Sequence, residues 1–422
     1  MEILLLCDYQ PKGAATVTDH IDALCQATGH SVRKLSLLGD LPEALDLERF
    51  DAIILHYSLI LSMDSYVSAR ARGKLRGFNG VKVVFIQDEY RWVNKAISAL
   101  AYIGADILFT CVPDGEIHNV YPPATLPGLR IINTLTGFVP AHLLSIKPLD
   151  YSARELDIGY RARKLSALFG QLAREKWLIA ERVVADIQSQ NLLHDISCRE
   201  SDRIYGQDWL DFVRNCRAML GTESGASLFD FTGDLQPAIE QYEKEHPDAS
   251  FGDVEERFFK GQDGLIRMNQ ISPRCFEAAA LRTLMILYEG HYSGVLQPWR
   301  HYVPLKKDHS NMDEVVAALR DRNVWTRIVE CAYEEVACNS AWSYRVFGQQ
   351  VGAALAKIFT ERERQPARPY SEPEFMRATT MHQVALKVNR VSRGRLISLV
   401  EKLPGPVFRV LQTIRRTIAP RR

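Results

Sequence analysis

The stretch Ile3-Leu4-Leu5-Leu6-Cys7-Asp8-Tyr9-Gln10-Pro11-Lys12-Gly13-Ala14-Ala15 decides the fold. Five consecutive apolar residues read as a strand buried on both faces, since a half-solvated strand would alternate. Turn residues follow, and then Thr16–Thr28, where Ile21, Leu24 and Cys25 fall on one side of a helix. The same alternation continues outward. Strands are expected at Ser31–Ser36, Ala52–His56, Val81–Gln87, Ile107–Cys111 and Arg130–Asn133, with helices between them, including Tyr90–Tyr102. Apolar strands separated by helices mean a parallel sheet covered on both faces, a doubly wound α/β fold. The turn after the first strand also excludes a function. It lacks the GxGxxG of a dinucleotide site, and no GxxxxGK[ST] phosphate loop occurs in the chain.

Pro140–Glu155 reads as a linker, after which the pattern restarts. Strands are expected at Leu156–Tyr160, Asp195–Arg199, Arg217–Gly221 and Leu284–Tyr288, with a short one near His301–Leu305. Helices are expected at Leu172–Gln188, Trp209–Asn215, Phe276–Arg282, Met312–Arg320 and Val324–Tyr333. The chain of 422 residues is therefore expected to form two Rossmann-like halves, 1–150 and 151–335. A polar stretch at about 234–263 is expected to be a helical insertion or lid. Return helices and a linker are expected over 336–374, and a basic tail over 375–422. Ligands of such folds bind at the carboxyl ends of the strands, here in the cleft between the halves.

The hydrophobic fraction of 46% and charged fraction of 24% are those of a folded globular chain. A formal net charge of +1 argues against a nucleic-acid partner for the whole chain. That total hides an asymmetry: from Phe375 onward there are eleven Lys/Arg and one acidic residue, Glu401. The eight cysteines are scattered without a CxxC pair and read as reduced thiols. Met1–Leu6 lacks the basic flank of a signal peptide and stops at Asp8. No apolar run reaches the roughly 18–20 residues of a membrane span, so the expected location is cytoplasmic.

The most informative stretch for chemistry is Ile271-Ser272-Pro273-Arg274-Cys275-Phe276-Glu277-Ala278-Ala279-Ala280. Pro273 suits the first position of a helix. The positive end of that helix would stabilise a pyrophosphate, and Arg274 would pair with its oxygens. Glu277 in the first turn either accepts two ribose hydroxyls or merely favours the helix terminus electrostatically. No HExxH, EF-hand loop, paired Cys/His metal site or GxSxG elbow occurs.

Ser272–Asn311, including Leu-Tyr-Glu-Gly-His-Tyr-Ser-Gly at 287–294 and His-Tyr-Val-Pro-Leu-Lys-Lys-Asp at 301–308, resembles the nucleotide-binding half of GT-B glycosyltransferases. The similarity is to family 4 and CgeB-like proteins. It implies that Glu277 holds the donor ribose. It also implies a second Glu eight residues earlier, where this chain has Asn269. Glu223 is the expected displaced partner, placed with Ser224 by the donor. Otherwise both residues only form a turn with Gly225. The resemblance places Lys164, with Arg161 or Arg163, on the leaving diphosphate, whose developing charge needs stabilising. The loop Glu289-Gly290-His291-Tyr292-Ser293-Gly294 is expected to close over phosphates or sugar. On the first half, Gly13 is expected near the acceptor. His56 and Asp88, at strand ends, are the expected bases, with satisfied polar groups as the alternative. No DxD motif is present, so neither metal nor other cofactor is expected.

The tail mixes Val, Leu and Ile with Lys387, Arg390, Arg393 and Arg395 over Leu386–Val400. It does so again around Arg409, Arg415 and Arg416 over Val407–Ile418. Two basic amphipathic helices would lie along an anionic inner leaflet; the alternative is helices packed on the catalytic halves. The expected function is transfer of a sugar from a nucleotide donor to a surface polysaccharide or lipid-linked glycan, retaining by analogy with family 4. The alternatives are a nucleotide-sugar epimerase and a non-catalytic binding protein.

Overall fold

The computed structural model describes residues 1–401 except Lys12, Glu363 and Arg364, without the side chains of Asn389 and 391–401. The expected helix over Val407–Ile418 lies outside the described residues. The first half alternates β1 (Glu2–Cys7), α1 (Ala15–Ala27), β2 (Ser31–Ser36), β3 (Ala52–Leu55), α2 (Ala69–Gly77), β4 (Val81–Ile86), α3 (Val93–Ile103), β5 (Ile107–Thr110), α4 (Ile117–Val120) and β6 (Arg130–Asn133). Its six strands lie in the order β2-β1-β3-β4-β5-β6, all parallel. Leu4 and Leu6 enter the core on one face of the sheet, and Ile3, Leu5 and Cys7 enter that on the other. This two-sided burial is why the run carries no polar residue.

The second half contains β7 (Leu156–Arg161), α5 (Gly170–Asp186), β8 (His194–Ser197), α6 (Gly206–Asn215), β9 (Cys216–Gly221), α7 (Leu235–Glu245), α8 (Phe251–Phe258), α9 (Pro273–Ala280), β10 (Leu284–Tyr288), β11 (Val303–Leu305), α10 (Met312–Arg320) and α11 (Arg322–Ala332). Its parallel sheet runs β11-β10-β9-β7-β8. The protein therefore has two doubly wound halves facing a cleft, the architecture that the resemblance implies.

Four departures from expectation have physical causes. First, the linker is packed. Arg154 is fully buried and donates to the carbonyls of Leu149, Arg214, Cys216, Leu281 and Arg282 and to the Thr283 hydroxyl. The five N–H donors of one guanidinium are thus shared among six acceptors.

Second, α3 begins at Val93 because Trp92 has φ 51° and the Tyr90–Asn94 turn is held by the other half. The Asp230 N–H donates to the Tyr90 carbonyl at 2.9 Å, and the Asn94 N–H donates to the Phe231 carbonyl at 3.0 Å. Arg91 adds two bonds to Gln236, at 2.8 and 3.2 Å.

Third, the insertion is helical, as α7 and α8, but its flanks cross the cleft. Phe229, Ile266 and Met268 belong to the core of the first half. The insertion is thus a strap as much as a lid.

Fourth, α12 (Tyr344–Glu361) returns to the first half, where Phe347, Val351, Leu355 and Ile358 pack with Ile3 and Leu5. Gly352 allows the close approach, since a Cβ there would meet the Thr28 carbonyl oxygen at 2.0 Å. The next helix, α13 (Glu372–Glu401), packs on the first half as far as Arg390, with Phe375 in that half's core. Among the described residues no helix is long and apolar enough to cross a membrane.

Candidate functional site

A cleft of about 830 Å³ separates the halves at the carboxyl ends of their strands. Its first-half wall comprises Gly13-Ala14-Ala15-Thr16, Asp19, Asp88, Tyr90 and Arg91. The opposite wall comes from the ends of β7 and β9, the start of α6 and the first turns of α9.

Helix α9 begins as its sequence dictates. The Ser272 hydroxyl accepts from the Arg274 N–H at 3.4 Å, and Pro273 occupies the first helical position. The N-terminus of α5 is closed by protein instead. Ser227 Oγ accepts from Leu172 N–H at 3.0 Å, and Asp263 Oδ2 accepts from Gln171 N–H at 2.9 Å. The positive helix ends that open on the cleft are those of α9 and α6.

Glu277 lies in the cleft wall, and its Oε2 accepts from the Trp209 indole N–H at 2.7 Å. Its other oxygen makes no hydrogen bond among the described residues. Burial pushes its carboxyl up, while the Trp209 bond and Arg274 act in the opposite direction. A carboxylate held at one oxygen is suited to accept hydroxyls with the other.

Arg274 lies 4.8 Å over the Trp209 ring and donates through one terminal nitrogen to the Arg161 carbonyl. Arg163 is exposed on the same wall. Lys176, on α5, faces the cleft too and is the residue that sequence reasoning missed. Burial lowers its ammonium to about 8, and Arg274 and Arg163 push in the same direction while Asp88 opposes them. Three cations that repel one another across a cavity form a seat for a polyanion.

The other expected residues divide. Ser224 and Asp88 line the cleft, and Tyr90 donates to Asp88 Oδ1 at 3.0 Å. Arg161 is also at the wall, but its guanidinium is spent on protein. It donates to the carbonyls of Tyr160, Asp195 and Asp202 and pairs with the Asp195 carboxylate at 2.6 Å. Lys164 pairs with Glu181 at 2.5 Å, outside the cleft lining. His56 is fully buried, with Nδ1 2.9 Å from Ser58 Oγ and Nε2 3.0 Å from His20 Nδ1. Burial holds its imidazole well below the usual range. Both nitrogens are committed, and the ring is absent from the cleft wall. Asp19 stands on that wall instead. Its carboxyl is raised chiefly by burial and further by Asp22, against His142.

Glu223 is buried. It accepts from the N–H groups of His291 (3.1 Å) and Tyr292 (2.8 Å) and from the Asn269 amide (2.6 Å). The structure thus brings Glu223 beside Asn269, and an antiparallel bridge between Ser224 and Gln270 fixes the approach. The placement of the 289–294 loop follows from this. Gly290 packs on the carboxylate, where a Cβ would lie 2.7 Å from Glu223 Cδ. Tyr292 is buried and donates to the Tyr288 carbonyl at 2.6 Å. Ser293 donates to Gln270 at 3.1 Å. Gly294 and Glu289 are exposed, and none of Glu289–Gly294 lines the cleft. This loop is held as a brace behind the wall, with Glu223 as its clasp.

No protein-family model matches the chain, and no curated protein does. Among solved structures, the chain is similar to an alpha-glucosyltransferase in complex with UDP-glucose and DNA containing an abasic site. The TM-score is 0.49 at 11% identity, covering 85% of this chain and 99% of that one. It is also similar to Anabaena HepE in complex with UDP (TM-score 0.47, 10% identity, 85% and 100% covered). A third is sucrose-phosphate synthase from Thermosynechococcus elongatus (TM-score 0.47, 12% identity, 85% and 99% covered).

Proposed function

We propose that the protein is a glycosyltransferase taking its sugar from a nucleoside diphosphate donor held on the second-half wall. One observation carries this reading: Arg274, Arg163 and Lys176 converge on the positive end of α9, with the Glu277 carboxylate in the same wall. The cations and the helix end suit a diphosphate, and the carboxylate suits a ribose diol.

In the proposed reaction an acceptor hydroxyl attacks the donor's anomeric carbon. The bond from that carbon to the diphosphate breaks, its electron pair goes to the departing phosphate oxygen, and the acceptor hydroxyl's proton passes to that phosphate. Lys176, Arg163 and Arg274 would stabilise that charge. The first-half wall, with small residues Gly13-Ala14-Ala15 and the carboxylates Asp19 and Asp88, leaves room for the acceptor and offers acceptors for its hydroxyls. The acceptor we favour is a surface polysaccharide or lipid-linked glycan at the inner face of a membrane, on the strength of the basic C-terminal sequence.

The test incubates the protein with a panel of nucleotide sugars and follows the products. Release of free sugar or of a glycosylated acceptor supports the reading. Interconversion of donor epimers without release would favour an epimerase, and no binding of any nucleotide would refute it.

A further inference from the structure

Helix α13 covers the β2 edge of the first sheet and runs along it towards the cleft. Near its start, Glu372 pairs with Arg33 of β2 at 2.6 Å. Midway, Gln383 donates to the Ser36 carbonyl, at the end of β2, at 3.0 Å. Further on, Arg390 pairs with the Asp8 carboxylate and donates to the Tyr9 carbonyl, just past the carboxyl end of β1. Asp8 lies five residues before Gly13 of the cleft wall. Eleven further helical residues follow Arg390, so the helix axis extends roughly 16 Å beyond that contact at 1.5 Å per residue. The described helix therefore runs past the edge of the first half at which the cleft opens.

The inner face of α13 is occupied by Phe375, Thr379 and Leu386, all buried on the first half. Its outer face carries an apolar stripe at helical spacing: Met381 is 80% exposed, Val384 49% and Val388 58%. With Met376, α13 holds four of the nine large hydrophobic side chains that are exposed among the described residues. Lys387 flanks the stripe and is exposed. The acidic residues of the first turn, Glu372 and Glu374, are paired with Arg33 and Arg49, and no further acidic residue occurs before Glu401. The sequence beyond, through Arg422, remains basic and rich in Val, Leu and Ile.

We infer that the outer stripe of α13 is a docking surface for an anionic lipid bilayer, holding the mouth of the cleft against the membrane. The stripe supplies apolar insertion, and Lys387 with the basic continuation supplies attraction to lipid phosphates. A second copy of this chain is disfavoured because like-charged surfaces would meet. The inference rests on the proposed transfer only for its purpose, since docking itself is read without any reaction.

The experiment is flotation of the full-length chain with two kinds of vesicle: phosphatidylcholine alone, and phosphatidylcholine mixed with phosphatidylglycerol. The chain is expected to float with the mixed vesicles, to stay behind with the neutral ones, and to detach as salt rises. Met381→Ser/Val384→Ser/Val388→Ser in the full chain should bind at least tenfold more weakly, with an unchanged unfolding midpoint because the replaced side chains are exposed. Equal binding of this variant, equal binding to neutral vesicles, or a dimer that the triple substitution dissolves would each overturn the inference. Donor binding measured in parallel separates its failure from that of the transferase reading.

Discussion

At the residue scale, Glu277 and Lys176 make opposite lessons. Glu277 was legible because Ser272, Pro273 and the Ala run mark a helix start, which fixes where its side chain emerges. Lys176 was not, because in sequence it is one polar residue of an amphipathic helix, and only the fold sets it beside Arg163 and Arg274. Its ammonium near 8 has a measurable consequence. As pH rises through about 8 the lysine loses its charge, so affinity for a nucleoside diphosphate falls on that limb; titration calorimetry of Lys176→Gln should show a flatter profile. The sequence also offered Arg161 and Lys164 as phosphate ligands, yet Asp195, Asp202 and Glu181 hold them, partners 17 to 41 residues away that no local pattern reveals. Glu223 is a clasp rather than a group open to the cleft. Glu223→Ala leaves the His291 and Tyr292 N–H groups without their acceptor and is expected to cost about 2–4 kcal/mol in urea unfolding.

At the element scale, the strands were legible as uninterrupted apolar runs, and their parallel order follows from the helices between them. The strap was not legible. Nothing local marks Asp230 and Phe231, and their hydrogen bonds to Tyr90 and Asn94 span more than a hundred residues of chain. The strap depends on Gly225, whose φ of +110° and contact with the backbone of Met268 exclude a side chain: a Cβ would lie 1.7 Å from the Met268 oxygen. Gly225→Ala should therefore lower the unfolding midpoint and weaken donor binding together, as Ser224 beside it lines the cleft. Helix α12 acts through plain burial. Leu355→Ala removes a fully buried side chain from the first-half core and is expected to cost about 2–5 kcal/mol by chemical denaturation.

For the whole molecule, composition and periodicity pointed to two halves and a cleft. The contacts that tie the halves together are those of α12 and the strap: the helical period of α12 does not say which surface it meets, and the strap's hydrogen bonds are long-range. They place the α9 wall opposite Asp19 and Asp88, and the central claim is that this cleft binds a nucleotide sugar. The most direct test is calorimetric titration of the purified full-length protein with UDP-, GDP- and ADP-sugars, repeated on Glu277→Ala. The account predicts one-to-one binding of a member of this panel, weakened about tenfold or more by the substitution in a protein that remains folded. Binding unaltered in the folded Glu277→Ala protein, or no binding of any member to the unsubstituted protein, would contradict it.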